Sequence, residues 1–128
     1  MINISKQIAH WRKGSEEDWE VAKDLVERQR IRHGLFFAHL ALEKILKAQV
    51  CSALKDIAPP THNLVRLVEL SGLAVDEKLR NLLAEVSPFN IETRYPDILV
   101  PEPALAEAKA YIGRIEEALK WLTSQFTV

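Results

Sequence analysis

Eight consecutive residues, Asn90-Ile91-Glu92-Thr93-Arg94-Tyr95-Pro96-Asp97, gather two acids, an arginine and a tyrosine in a stretch bracketed by Pro88, Pro96, Pro101 and Pro103. Proline fixes φ and interrupts helices, so this stretch reads as an ordered polar connection, the kind of segment on which binding groups collect. The planar guanidinium of Arg94 suits a phosphate or a carboxylate, and the Tyr95 ring suits a base. A plainer reading has Arg94 and Asp97 capping neighbouring helices.

A second group lies upstream. His39, Glu43 and Lys47 recur every four residues, which on a helix places them in one narrow stripe with Lys44 beside it. His39 and Glu43 at that spacing can reach one ion, but a zinc or di-iron site needs further ligands. Neither His-Glu-x-x-His nor Glu-x-x-His occurs, so no metal and no cofactor is expected, and Glu43–Lys47 reads equally as a helix-stabilising pair. His62 follows Pro59-Pro60 directly ahead of a helix start, where an imidazole serves to cap or bridge as readily as to carry a proton. Cys51, the single cysteine, is flanked by apolar residues and reads as a buried inert thiol. No serine occupies a glycine-flanked elbow, and Gly14, Gly34, Gly72 and Gly113 are too dispersed to cradle a phosphate. Those absences exclude the common nucleotide-hydrolase and dinucleotide chemistries. The basic run Arg28-Gln29-Arg30-Ile31-Arg32-His33 has the charge to touch phosphate but no neighbouring aromatics for base stacking, so it reads as a solvated helix end.

The elements that must carry these groups are helical. Ile4, Ile8, Trp11, Ser15, Trp19, Ala22 and Val26 fall three or four apart, which predicts one helix over about 3–29 that runs through Gly14-Ser15. From Gly34 to about Leu54 the chain is apolar around most of a helical circumference, as in the centre of a bundle, and Pro59-Pro60 closes that region. Thr61-His62-Asn63 precedes a short third helix over Leu64, Leu67 and Val68 that stops at Gly72. Asp76 starts a fourth, carrying Leu79, Leu82, Leu83 and Val86. Leu105, Ala108, Ile112, Ile115, Leu119, Leu122 and Phe126 predict a final helix whose seam packs either in the bundle or against another subunit.

The fold class expected is therefore all-α, an up-and-down bundle of four to five helices in one domain over residues 1–128, a usual single-domain size. With 17 basic and 18 acidic residues the net charge is −1, so no global field recruits nucleic acid or an anionic membrane, and RNA is only weakly supported as a partner. No leader pattern precedes the first helix, and no apolar run reaches the roughly 18 residues of a membrane span, so a soluble, cytoplasmic protein is expected.

Three blocks in order, Phe37-Ala38-His39-Leu40-Ala41-Leu42-Glu43-Lys44-Ile45-Leu46-Lys47-Ala48, Thr61-His62-Asn63-Leu64 and Thr93-Arg94-Tyr95-Pro96-Asp97, resemble the HEPN family (higher eukaryotes and prokaryotes nucleotide-binding domain). The resemblance implies a helical bundle, usually a homodimer, often encoded beside a small nucleotidyltransferase with which it forms a complex or a toxin-antitoxin pair. It also implies, for many members, metal-independent ribonuclease activity through Arg-x(4–6)-His near the start of the last helix. Here the positions that should carry that histidine after Arg94 are Leu99, Val100 and Pro101. Arg28 and His33 match the spacing, but chance alone supplies such a match. The expectation is thus a non-catalytic module in which His39, Glu43, Lys47, His62, Arg94, Tyr95 and Asp97 hold a nucleotide or serve a nucleotidyltransferase partner, with Arg94 on phosphate, Tyr95 on a base and Lys47 as a point charge. Two alternatives stand beside it. One is a ribonuclease with a displaced histidine; the other is a dimeric scaffold in which Arg94 pairs with Glu43 and locks the loop onto the second helix.

Overall fold

The computed structural model describes residues 2–90 and 101–126. Within them the chain forms five helices: α1 (Ile4–Glu27), α2 (Ile31–Leu54), α3 (Leu64–Ser71), α4 (Glu77–Val86) and α5 (Leu105–Ser124). The all-α bundle expected from periodicity is the architecture observed. Helix α2 is central, packing on α1, α3 and α5, while α4 bridges α3 and α5.

Local chemistry explains most of the boundaries. The Asn3, Asn63 and Asp76 side chains each accept from the backbone N–H three residues on, at 3.0, 3.1 and 2.8 Å, and so open α1, α3 and α4. Gly72 closes α3 with φ at 71°, a left-handed conformation that glycine adopts without a Cβ penalty. Helix α1 runs unbroken through Gly14-Ser15, as its apolar spacing predicts. The small pair serves the crossing with α2: the buried Ser15 hydroxyl donates to the Ala41 carbonyl at 2.7 Å, and a Cβ on Gly14 would meet Lys44 Cδ at 3.0 Å.

The start of α2 differs from the sequence reading. It begins at Ile31 rather than Gly34, because Gln29 adopts φ of 62° and turns the chain back within three residues of the end of α1. Gly34 is then an interior contact residue. A Cβ there would lie 2.5 Å from Val26 Cγ2 and 3.0 Å from the Val26 backbone nitrogen, so only glycine admits this hairpin.

The core is built from fully buried Leu35, Leu42, Leu46, Leu64, Leu67, Leu83, Ile115 and Leu122. The α5 seam is used inside the bundle, since Ala108, Ile115, Ala118, Leu119 and Leu122 are all buried. Gln49 adds a polar tie, its side-chain amide donating to the Leu122 carbonyl at 2.8 Å from a buried position on α2. No helix among the described residues is long and apolar enough to cross a membrane.

Candidate functional site

Helix α2 buries 15 of its 24 residues, and a charged residue among them is costly unless partnered. His39, Glu43 and Lys47 are only 1, 3 and 6 % exposed, and the four-residue spacing stacks them on one face as expected. The Lys47 ammonium donates to Glu43 Oε2 at 3.1 Å, which places cation and carboxylate in contact where water does not screen them. His39 Nδ1 stands 3.8 Å from Glu43 Oε1, an ion-pair separation rather than a hydrogen bond.

His62 completes the group from the connection between α2 and α3. Its Nδ1 lies 3.0 and 3.1 Å from the two Glu43 oxygens, while about half of its side chain, 49 %, stays open to solvent. A carboxylate only accepts, so Nδ1 carries the proton and Nε2 is the ring nitrogen left for another partner. The α3 cap sets this placement: Asn63 opens the helix, and Leu64 beside it is fully buried, which pins the preceding histidine over α2.

Two neighbours were not legible in the residue spacing. Trp11, read from sequence only as part of the α1 seam, places its ring 5.1 Å from Lys47 Nζ, close enough for a cation–π contribution. Asp18 on α1 holds Lys44 at 2.7 Å, so the lysine beside the stripe belongs to the α1–α2 contact. The sequence singled out Lys44 but carried no sign of its partner 26 residues earlier.

Arg94, Tyr95 and Asp97 lie outside the described residues. Of the remaining sequence candidates, the structure brings His39, Glu43, Lys47 and His62 together, with Lys47 turned inward onto Glu43 rather than toward solvent. The basic run sits at the solvated α1–α2 turn, where Arg28 pairs with Asp24 at 3.2 Å and Arg32 approaches Glu102 at 3.9 Å. Cys51 is buried, and burial pushes its thiol above the ordinary cysteine range. Among the described residues no group of three His, Cys, Asp or Glu side chains is arranged to hold a metal ion.

A buried carboxylate that orients a half-exposed imidazole is a positioned hydrogen-bonding device. Neutral, His62 Nε2 accepts; protonated, it donates to an anion. Two surface grooves lie apart from this site: one of about 390 Å³ between α4 and α5, lined by Leu79, Leu82, Ala118 and Trp121 among others, and one of about 360 Å³ between α1 and α5, beside Arg12, Trp19 and Leu119.

No curated protein matches this chain. Two solved structures share its fold. TT1696 from Thermus thermophilus is similar with a TM-score of 0.79 and 19 % identity, over 94 % of this chain and 98 % of that one. ST0689, an archaeal HEPN homologue, is similar with a TM-score of 0.71 and 18 % identity, over 92 % of this chain and 96 % of that one. The family model for the HEPN domain matches residues 8–125, a span that holds all five helices apart from the first turn of α1 and includes both Glu43 and His62; the chain belongs to the HEPN domain family.

Proposed function

We propose that this HEPN protein is a non-catalytic homodimeric module that binds a nucleotide, alone or in complex with a nucleotidyltransferase partner, at the corner of α2 and α3. The observation that carries the reading is the fixed, half-exposed His62 on buried Glu43. Glu43 and Lys47 act as the positioning pair, and ligand contact falls to His62 together with Arg94, Tyr95 and Asp97 of the proline-bracketed segment. Arg94 takes phosphate, Tyr95 stacks on a base, and His62 Nε2 donates or accepts at the ligand edge. His39 sits beneath Glu43 as a buried support. A toxin-antitoxin pairing with the nucleotidyltransferase fits the same surface.

Titration calorimetry with ATP tests this reading, alongside co-purification with a nucleotidyltransferase encoded beside it. The expected result is binding that His62→Ala and Arg94→Ala each weaken, with the fold unchanged by circular dichroism. Absence of both ATP binding and co-purification would overturn it.

The Glu43–His62 dyad also supports a second reading, the ribonuclease with a displaced histidine, because a carboxylate-oriented imidazole is suited to general base work. Metal-free RNA cleavage abolished by His62→Ala is its signature. RNA left intact by the wild-type protein eliminates it.

A further inference from the structure

We propose that an anionic ligand at the α2–α3 corner is bound together with a proton, which His62 takes up at Nε2 as the ligand arrives. The inference rests on the nucleotide-binding reading above and adds how pH regulates that site. Glu43 carries two partners there. The Lys47 ammonium sits on Oε2 at 3.1 Å with both side chains nearly sealed from solvent, so this cation and this carboxylate balance one another without the histidine. His62 Nδ1 meets the same carboxylate from outside, at 3.0 and 3.1 Å.

A carboxylate only accepts, so the Nδ1–H bond to Glu43 is present whether the ring is neutral or protonated. Proton uptake therefore leaves the inner contact in place and changes Nε2 alone, on the far side of the ring from Glu43. Neutral, the ring turns a lone pair outward, and Lys47, Glu43 and His62 together carry no net charge. Protonated, it turns an N–H outward, and the three carry one positive charge. A phosphate group near neutral pH offers that nitrogen mainly acceptor oxygens. It meets the protonated ring in a charge-assisted hydrogen bond and the neutral ring lone pair to lone pair, so ligand and proton raise each other's affinity by the same factor. With the side chain 49 % exposed, both can reach it.

The surrounding charges do not take over this role. Lys47, for which the sequence suggested a direct point charge on the ligand, is buried on Glu43, and turning it outward would strand a buried carboxylate. His39 lies on the same helix face, its Nδ1 3.8 Å from Glu43 Oε1, and is buried as well. From α1, the uncharged Trp11 ring covers Lys47 at 5.1 Å, and Asp18 is held by Lys44 at 2.7 Å. On α3, Arg66 is held by Glu69 at 3.3 Å. Among these described groups, His62 alone combines exposure to a ligand with a side chain whose charge changes in the physiological pH range.

Titration calorimetry with ATP on the full chain, repeated near pH 7 in buffers of different ionisation enthalpy, counts the protons taken up on binding. The wild-type protein is expected to take up a fraction of a proton approaching one, and its affinity to fall with rising pH by at most roughly tenfold per pH unit, the limit for one proton. His62→Asn keeps a side-chain N–H for Glu43 but has nothing to titrate in place of Nε2. It should bind more weakly, with the extra uptake lost and the pH dependence flattened. Protons exchanged by ATP itself are common to both proteins and drop out of the comparison. Nitrogen NMR of the wild-type ring gives a second measurement that does not depend on the variant: saturating ATP should convert His62 Nε2 to N–H. Equal uptake in wild type and His62→Asn, or a His62 ring whose protonation ATP leaves unchanged, would overturn the coupling and leave the nucleotide-binding reading in place. No ATP binding by the wild-type protein would overturn both.

Discussion

Glu43 and His62, 19 residues apart in the chain, meet across the α2–α3 corner with Nδ1 at 3.0 and 3.1 Å from the two carboxylate oxygens. One partner is buried and shared with Lys47, while the other is half open to solvent. That asymmetry separates what each residue does. Glu43 neutralises a buried ammonium and aims a ring; His62 presents the free nitrogen of that ring.

Removing the two residues should therefore cost unequal amounts. Glu43→Ala leaves Lys47 buried without its counterion and is expected to destabilise the fold by about 3–5 kcal/mol, whereas His62→Ala should cost under about 1.5 kcal/mol because its bond is partly screened by water. Replacing both members of the buried pair, as in Glu43→Leu with Lys47→Met, should recover most of the loss. Urea unfolding of the four proteins measures this, and equal losses for the two single variants would contradict the assigned roles.

Gly34 and Gly14 line the same α1–α2 crossing with different tolerances. Gly34→Ala drives a methyl group into Val26 side chain and backbone, and is expected to cost about 1–3 kcal/mol or more. Gly14→Ala meets only the flexible Lys44 chain and gains helix propensity, so its net effect should stay within about 1 kcal/mol of zero. Thermal unfolding distinguishes the two.

Cys51 should be silent in the native state. It is fully buried and its thiol is held above the ordinary range by desolvation, so a thiol-specific alkylating reagent at about pH 8 should label it only as fast as the protein unfolds. Mass spectrometry across a urea series reads this directly, and rapid labelling without urea would show that the α2 packing is wrong.

Glu85 and Arg114 join α4 to α5 through two contacts of 3.2 and 2.7 Å, and the guanidinium bond holds the Glu85 carboxyl below the ordinary value of 4.5. A carboxyl whose native pKa lies below its unfolded one adds stability above the unfolded value, and that contribution disappears as pH falls through the native value. Glu85→Gln should then lower stability at neutral pH by a small amount and flatten its decline below pH 4.5. The effect should shrink in high salt, as expected of an exposed pair. Stability–pH curves at two ionic strengths test both statements.

Helix identity and most helix ends were open to reading because they follow from short-range chemistry. Asn63, Gly72 and Asp76 announce α3 and α4 through bonds that span three or four residues, and the His39-Glu43-Lys47 stripe follows from the helical repeat alone. Gly34 misled for the opposite reason. Its smallness answers to Val26 on another helix rather than to a boundary in its own, and a single chain of letters does not distinguish the two.

The linear sequence determined an all-α domain, the order of its helices, the presence of a charged stripe on the most apolar of them and the lack of a histidine at the expected distance from Arg94. Tertiary structure alone decided that His62 joins Lys47 on Glu43 from outside the helix, that Lys47 turns inward beneath Trp11, and that the α5 seam is consumed by the bundle. Helical periodicity and capping act over three or four residues and are written in the letters. Contacts between groups 19 or 36 positions apart depend on how the helices cross, which is settled by packing across the whole core.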